Sequence, residues 1–184
     1  MSQPGPGIVT TMVSSPLREL EAISRASARD KVAALMDATR ALGAMGAPHA
    51  LIGGVAVGVH SGVPRATADT DLAVLSTLDR SAVIQALVGA GLRPTGEFSH
   101  SAELRHASGE RVRIVFDAGL DPMIQRAERL RVAGVDVPIV RKDDLIAMKE
   151  RAAADPARRR SKALRDRADV ELLRGDVPDP DEGR

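Results

Sequence analysis

The chain has no cysteine, tryptophan or tyrosine, and Phe98 and Phe116 are its only aromatic residues. Without cysteine there are no disulfides and no thiolate metal sites. With two aromatic rings in the whole chain, a stacking platform for single-stranded bases is scarcely available. A dominant charge is missing as well, because 26 Lys and Arg are set against 25 Asp and Glu. That balance excludes a surface coated uniformly for nucleic acid and leaves only local basic patches. No apolar run approaches the length of a membrane span, and no charged-then-apolar leader precedes a cleavage site, so no membrane association and a cytoplasmic location are expected. What remains is a soluble composition, 43% hydrophobic and 28% charged over 184 residues. That is enough chain for one domain with a real core.

The chemistry is concentrated between Ala50 and Leu75. Ala50–Ile52 is a short apolar run that stops at Gly53 and Gly54. Two adjacent glycines after a strand allow a sharp turn and leave backbone N–H groups uncovered by side chains. Val55–His60 then reads as a short helix whose free N-terminal N–H groups face the same gap, a seat for phosphate. Asp69 and Asp71 open a second strand, and their i, i+2 spacing puts both carboxylates on one face. Two carboxylates held together repel, and a divalent cation with oxygen ligands relieves that repulsion.

Gly53-Gly54, fourteen residues, then Asp69-Thr70-Asp71, with Arg65 and Thr67 between, resembles the signature of the nucleotidyltransferase (polymerase-beta-like) superfamily. Within it the pattern is most similar to small bacterial members, the abortive-infection (AbiE-type) nucleotidyltransferase toxins and their relatives. Thr70 departs from the apolar residue usual between the two aspartates. The resemblance implies an α+β fold of minimal size, a mixed sheet of about four to six strands flanked by helices, with a C-terminal helical pair. It implies a magnesium ion pair, or manganese, held by Asp69, Asp71 and Asp117. Asp117 would stand on a strand beside the first two acids, nearest the nucleophile. Gly53 and Gly54 would donate to the β and γ phosphates of a nucleoside triphosphate, and Arg65 would pair with a phosphate or brace the loop. The implied reaction moves a nucleoside monophosphate to an acceptor hydroxyl with release of pyrophosphate, the acceptor being a tRNA 3′ end, a protein side chain or a small hydroxylated molecule. An antitoxin partner is implied if the chain is a toxin.

Around this centre, residues 1–14 are expected to form a mobile leader, 15–140 the core, 141–174 two packed helices and 175–184 an acidic tail without structure. Two helices are expected before the first strand, one after Ser15-Pro16 carrying Leu17, Leu20 and Ile23, the other over Ala28–Leu42 with Val32, Leu35, Met36 and Leu42 inward. Asp79 caps a helix bearing Val83, Ile84, Leu87 and Val88. Glu97–Ala107 and Arg111–Asp117 read as paired strands turning at Ser108-Gly109, and Arg131–Val140 as a hairpin at Gly134.

Residues 141–174 carry 11 basic and 7 acidic side chains. This local excess suits a polyanion or, equally, a solvated helix. Lys149, Asp166 and Asp169 resemble the lysine-then-aspartate helical signature of the AbiE-type toxins. By that resemblance Lys149 neutralises the triphosphate and Asp166 or Asp169 orients it. Lys162 lies i–4 to Asp166, so an intrahelical ion pair competes with that role. The four histidines lack metal-ligand spacing and read as structural. Two other readings stand beside the enzyme: a dinucleotide-binding module built on Gly53-Gly54-x3-Gly58, and a catalytically silent nucleotide-binding relative.

Overall fold

The computed structural model describes residues 16–63, 65–132 and 134–176, with side chains from residue 28 onward. The expected leader and nearly all of the expected tail lie outside the described residues. Gly175 and Asp176 close the last helix, Asp176 N–H donating to Glu171 O at 3.0 Å.

Helix α1 (Pro16–Ala44) is one continuous helix where two were expected. The join, Ser24-Arg25-Ala26-Ser27, contains neither glycine nor proline and nothing there breaks a helix. Its buried residues Ala34, Leu35, Ala38 and Leu42 fall on one face at helical spacing, whereas Val32 is 41% exposed and does not point inward. Strand β1 (His49–Ile52) follows, then α2 (Gly53–Ser61) and β2 (Asp69–Val74). Asp79 caps α3 (Arg80–Gly89), its carboxylate accepting from the N–H groups of Ser81 and Ala82. Val83 and Leu87 of α3 are buried, but Val88 is exposed.

The stretch expected as one strand over Glu97–Ala107 is a hairpin of β3 (Arg93–Phe98) and β4 (Ser101–Arg105). Pro94 sits on β3 at the sheet edge, where a missing N–H costs no ladder hydrogen bond. Next come β5 (Arg111–Val115), a 3₁₀ turn (Ala118–Leu120), α4 (Asp121–Gln125), β6 (Glu128–Val132) and β7 (Val135–Ile139). Helices α5 (Lys142–Ala154) and α6 (Arg160–Arg174) pack on each other as the expected C-terminal pair.

The architecture is α+β. Its mixed sheet has seven strands in the order β3-β4-β5-β2-β1-β7-β6, more than expected, the extra one being β3. Strand β1 is wholly buried and pairs antiparallel with β2 and parallel with β7. That antiparallel β1–α2–β2 unit rules out the dinucleotide-binding reading, which needs parallel strands on either side of the glycine turn. Strands β2 and β5 are parallel, Asp69 opposite Arg111 and Asp71 opposite Arg113. Thr70, Leu72, Val112 and Ile114 are completely buried on the face covered by α1. The other face carries Asp69 and Asp71, and there α2 meets α5 and α6.

Candidate active site

The glycine turn and the carboxylate pair are held together by strand pairing. Ile52, the last residue of β1, lies opposite Asp71, so Gly53 begins α2 directly against the Asp71 carboxylate. Gly53 has φ +71°, and a Cβ there would come within 2.2 Å of Asp71 Oδ2. Any side chain would therefore meet both backbone strain and the carboxylate. A Cβ on Gly54 would lie 2.7 Å from Arg65 Nη1 and 2.9 Å from Thr67 Oγ1. Ile52 supplies no side-chain cap, which leaves the first N–H groups of α2 open toward the gap.

Asp71 is pushed up to about 6, chiefly by burial and further by Asp69. Arg113, Lys149 and Arg65 pull against that rise without cancelling it. Asp69 Oδ1 is 2.7 Å from Arg111 Nε but out of line with it, so this buried oxygen has no hydrogen-bonding partner. Two hard oxygen donors on one face, one under-neutralised and one with an orphaned atom, fit a divalent cation. Magnesium commonly takes one or two protein carboxylates and fills its other positions with water and substrate phosphate.

The third expected ligand is not brought to this place. Val115 is opposite Ala73, and Asp117 stands two residues beyond the end of β5, about 13 Å along the strands from the level of Asp71. Asp117 is exposed, and its carboxylate accepts from Gly119 N–H at 2.9 Å to cap the 3₁₀ turn. Among the described residues no three acids or histidines are grouped to hold a metal ion. The residue in register beside Asp71 is Arg113.

Across the gap, α5 and α6 contribute a buried ion cluster. Lys149 Nζ donates to Asp166 Oδ1 at 2.9 Å and lies 2.8 Å from Asp169 Oδ2. Arg65 makes a two-pronged contact with Asp169, Nη2 reaching Oδ2 at 3.0 Å, and Arg158 Nε donates to the second oxygen of Asp166. Both aspartates are buried, at 2% and 1% exposure. Their partners are Lys149, Arg65 and Arg158, not Lys162. The intrahelical pair thus gives way to a cluster that ties the loop after α2 to the C-terminal helices. Lys149 thus has two carboxylate oxygens within contact distance, and an ammonium carries three donors. A cleft of about 130 Å³, with room for phosphate rather than a whole nucleotide, is lined by Gly53, Gly54, Thr67, Asp71 and Lys149, with Lys162 and Arg165 at its rim.

The fold is shared with nucleotidyltransferases. An antigenic nucleotidyltransferase-like protein from Paracoccidioides brasiliensis superposes with a TM-score of 0.56 at 22% identity over 79% of this chain and 75% of its own. The antibiotic-resistance factor ANT(2'')-Ia gives 0.52 at 20% identity over 79% and 89%. The Megavirus polyadenylate synthase gives 0.54 at 11% identity, all of this chain matching 41% of that one. No protein-family model and no curated protein matches the chain.

Sequence reasoning thus places Gly53, Gly54, Asp69, Asp71, Arg65, Lys149, Asp166 and Asp169 around one gap, and the structure brings all eight together. It overlooked Arg111 and Arg113. Their i, i+2 spacing on a strand whose other face is wholly apolar was the available signal. Three of the four histidines make contacts within the fold: His60 Nε2 meets Val140 O at 2.8 Å, His49 Nδ1 meets Ala47 O at 2.7 Å and His106 Nε2 lies 3.1 Å from Asp37 Oδ2.

Proposed function

We propose that the chain is a magnesium-dependent nucleotidyltransferase that moves a nucleoside monophosphate from a triphosphate to an acceptor hydroxyl. The observation that carries this reading is the contact of the bare Gly53 backbone with the under-neutralised Asp71 carboxylate, inside a nucleotidyltransferase fold. Asp69 and Asp71 would hold the metal, with manganese a workable substitute. Bound there, the ion would offset the charge of the triphosphate and of the departing pyrophosphate. The N–H groups opening α2 receive β and γ phosphate oxygens, and the remaining donor of Lys149 adds a charge-assisted hydrogen bond. Arg65, Asp166 and Asp169 act by holding the loop and Lys149 in place. In the transfer, the acceptor oxygen bonds to the α-phosphorus as that atom's bond to the pyrophosphate oxygen breaks. Pyrophosphate keeps the bonding electron pair, and the hydroxyl proton passes to the carboxylate pair.

The finer reading, transfer to a tRNA 3′ end by a toxin with an antitoxin partner, rests on the likeness of residues 53–71 and 149–169 to AbiE-type signatures. Transfer to a small hydroxylated molecule is supported by the fold shared with ANT(2'')-Ia, a protein whose structure is known in complex with adenylyl-2"-tobramycin. A second reading, a nucleotide-binding relative without activity, is favoured by one observation, the displacement of Asp117 from the carboxylate pair.

The test is incubation of purified protein with magnesium, each α-labelled triphosphate, and either total tRNA or an aminoglycoside panel. The expected result is label transfer that Asp69→Asn and Asp71→Asn abolish. Triphosphate binding without transfer to any acceptor would select the inactive relative, and absence of binding at every magnesium concentration would refute both readings.

A further inference from the structure

The strand beside the carboxylate pair answers it with two arginines. Arg111 is in register with Asp69 and Arg113 with Asp71, and in a parallel pair residues in register project to the same face. Both are exposed, while Val112 and Ile114 between and after them are fully buried. The alternation leaves the two guanidinium groups nowhere to go but the face that carries the acids. Arg111 is already engaged, 2.7 Å from Asp69. Arg113 has no hydrogen bond or ion pair within contact distance among the described residues, yet it exerts the largest favourable charge effect felt by Asp71.

We infer that Arg113 is a phosphate-binding residue that supplies, as a fixed guanidinium, positive charge that a second divalent ion would otherwise bring, so that this site holds one metal ion and not two. The inference rests on the nucleotidyltransferase reading and makes it more specific.

Three observations converge on it. Among the described residues no three acids or histidines are grouped to hold a metal, and the next carboxylate on this face, Glu103 of β4, lies beyond Arg113, so Asp69 and Asp71 suit one magnesium completed by water and phosphate. The position in register with Asp71, from which a third carboxylate would complete a two-ion site, is occupied by a group of opposite charge that repels a cation. That group is a planar guanidinium, which cannot lose its proton and matches two oxygens of a phosphate at once. It stands on β5, across β2 from β1, whereas Lys149 lines the cleft with Gly53 and Gly54 at the end of β1. A triphosphate seated on the α2 N–H groups would therefore meet Lys149 on one flank and Arg113 on the other. As charge develops on the non-bridging oxygens of the α-phosphate during transfer, Arg113 is the side chain positioned to receive it.

The decisive experiment counts manganese ions by the electron paramagnetic resonance signal of free Mn²⁺. The full chain, in excess over a non-hydrolysable ATP analogue, is titrated with Mn²⁺ so that all of the analogue is bound. Wild type is expected to take one ion per analogue. Arg113→Asp, which sets a third carboxylate beside Asp71, is expected to take two. Arg113→Ala is expected to weaken analogue binding roughly tenfold to a hundredfold while still taking one ion, and Arg113→Lys to recover part of the loss. Arg113 is exposed, and unchanged melting temperatures of the metal-free variants confirm that they fold. Two ions in wild type, one ion in Arg113→Asp, or full analogue affinity in Arg113→Ala would each overturn the inference and leave the nucleotidyltransferase reading intact. Failure of wild type to bind the analogue at all would instead overturn that reading.

Discussion

Two pairs of aspartates face each other across the gap, and their surroundings are opposite. Asp166 and Asp169 on α6 are almost fully buried, yet every charge is answered by Lys149, Arg65 and Arg158 at contact distance. On β2, Asp71 lines the cleft and is raised to about 6, and its neighbour Asp69 keeps one oxygen without a hydrogen bond although Arg111 lies beside it. The first pair is scaffold, complete within the chain. The second is incomplete, and under the proposed function this pair of hard oxygen donors beside the N–H groups opening α2 would take a cation and a phosphate. The contrast separates residues that position from residues that bind.

The largest effect should come from opening the complete pair. Asp169→Ala leaves Lys149 and Arg65 buried without their shared partner, and breaking a buried pair from one side costs about 3–5 kcal/mol. The midpoint of a denaturant titration should fall accordingly. A drop below about 1 kcal/mol would show that the cluster is not a scaffold.

Opening the incomplete pair should do the reverse. Because burial raises the Asp71 carboxyl above its unfolded value, the folded state binds the proton more tightly. Its contribution to stability is present below about pH 4 and is lost as pH rises to about 6. Asp71→Asn avoids that loss, so the variant should match wild type near pH 4 and exceed it by about 2–3 kcal/mol above pH 6.5. Thermal melts across this pH range check the sign.

Smaller effects lie at the residues outside both pairs. Asp117→Ala removes only a cap on a short turn and should cost about 0.5–1 kcal/mol, with triphosphate affinity by calorimetry unchanged. A strong loss of affinity would return Asp117 to the site. Thr70→Val replaces a completely buried hydroxyl that has no hydrogen-bond partner, and should stabilise by about 1 kcal/mol in the same denaturant titration.

The part of the site carried by residues 53–71 was legible because local spacing determines it. Adjacent glycines make the turn, and the i, i+2 acids share a face whatever else the chain does. The role of Asp117 was not legible, because it depends on the register of two parallel strands about 40 positions apart. The sequence shows that β5 alternates but not that Arg111 rather than Val115 lies level with Asp69. Helical spacing likewise put Asp166 and Asp169 on one face without saying which cation they meet. Packing of α6 against α5 and α2 chose Lys149 and Arg65 over Lys162. The seventh strand was missed because its sequence, Arg-Pro-Thr-Gly-Glu-Phe, is an edge strand with almost no apolar pattern.

The central claim, that Asp69 and Asp71 form an incomplete site finished by a metal-bound triphosphate, is tested most directly by isothermal titration of ATP with and without magnesium. Wild type should bind ATP only when magnesium is present, and Asp71→Asn, although more stable, should bind in neither condition. Magnesium-independent binding, or unchanged binding by Asp71→Asn, would contradict the account.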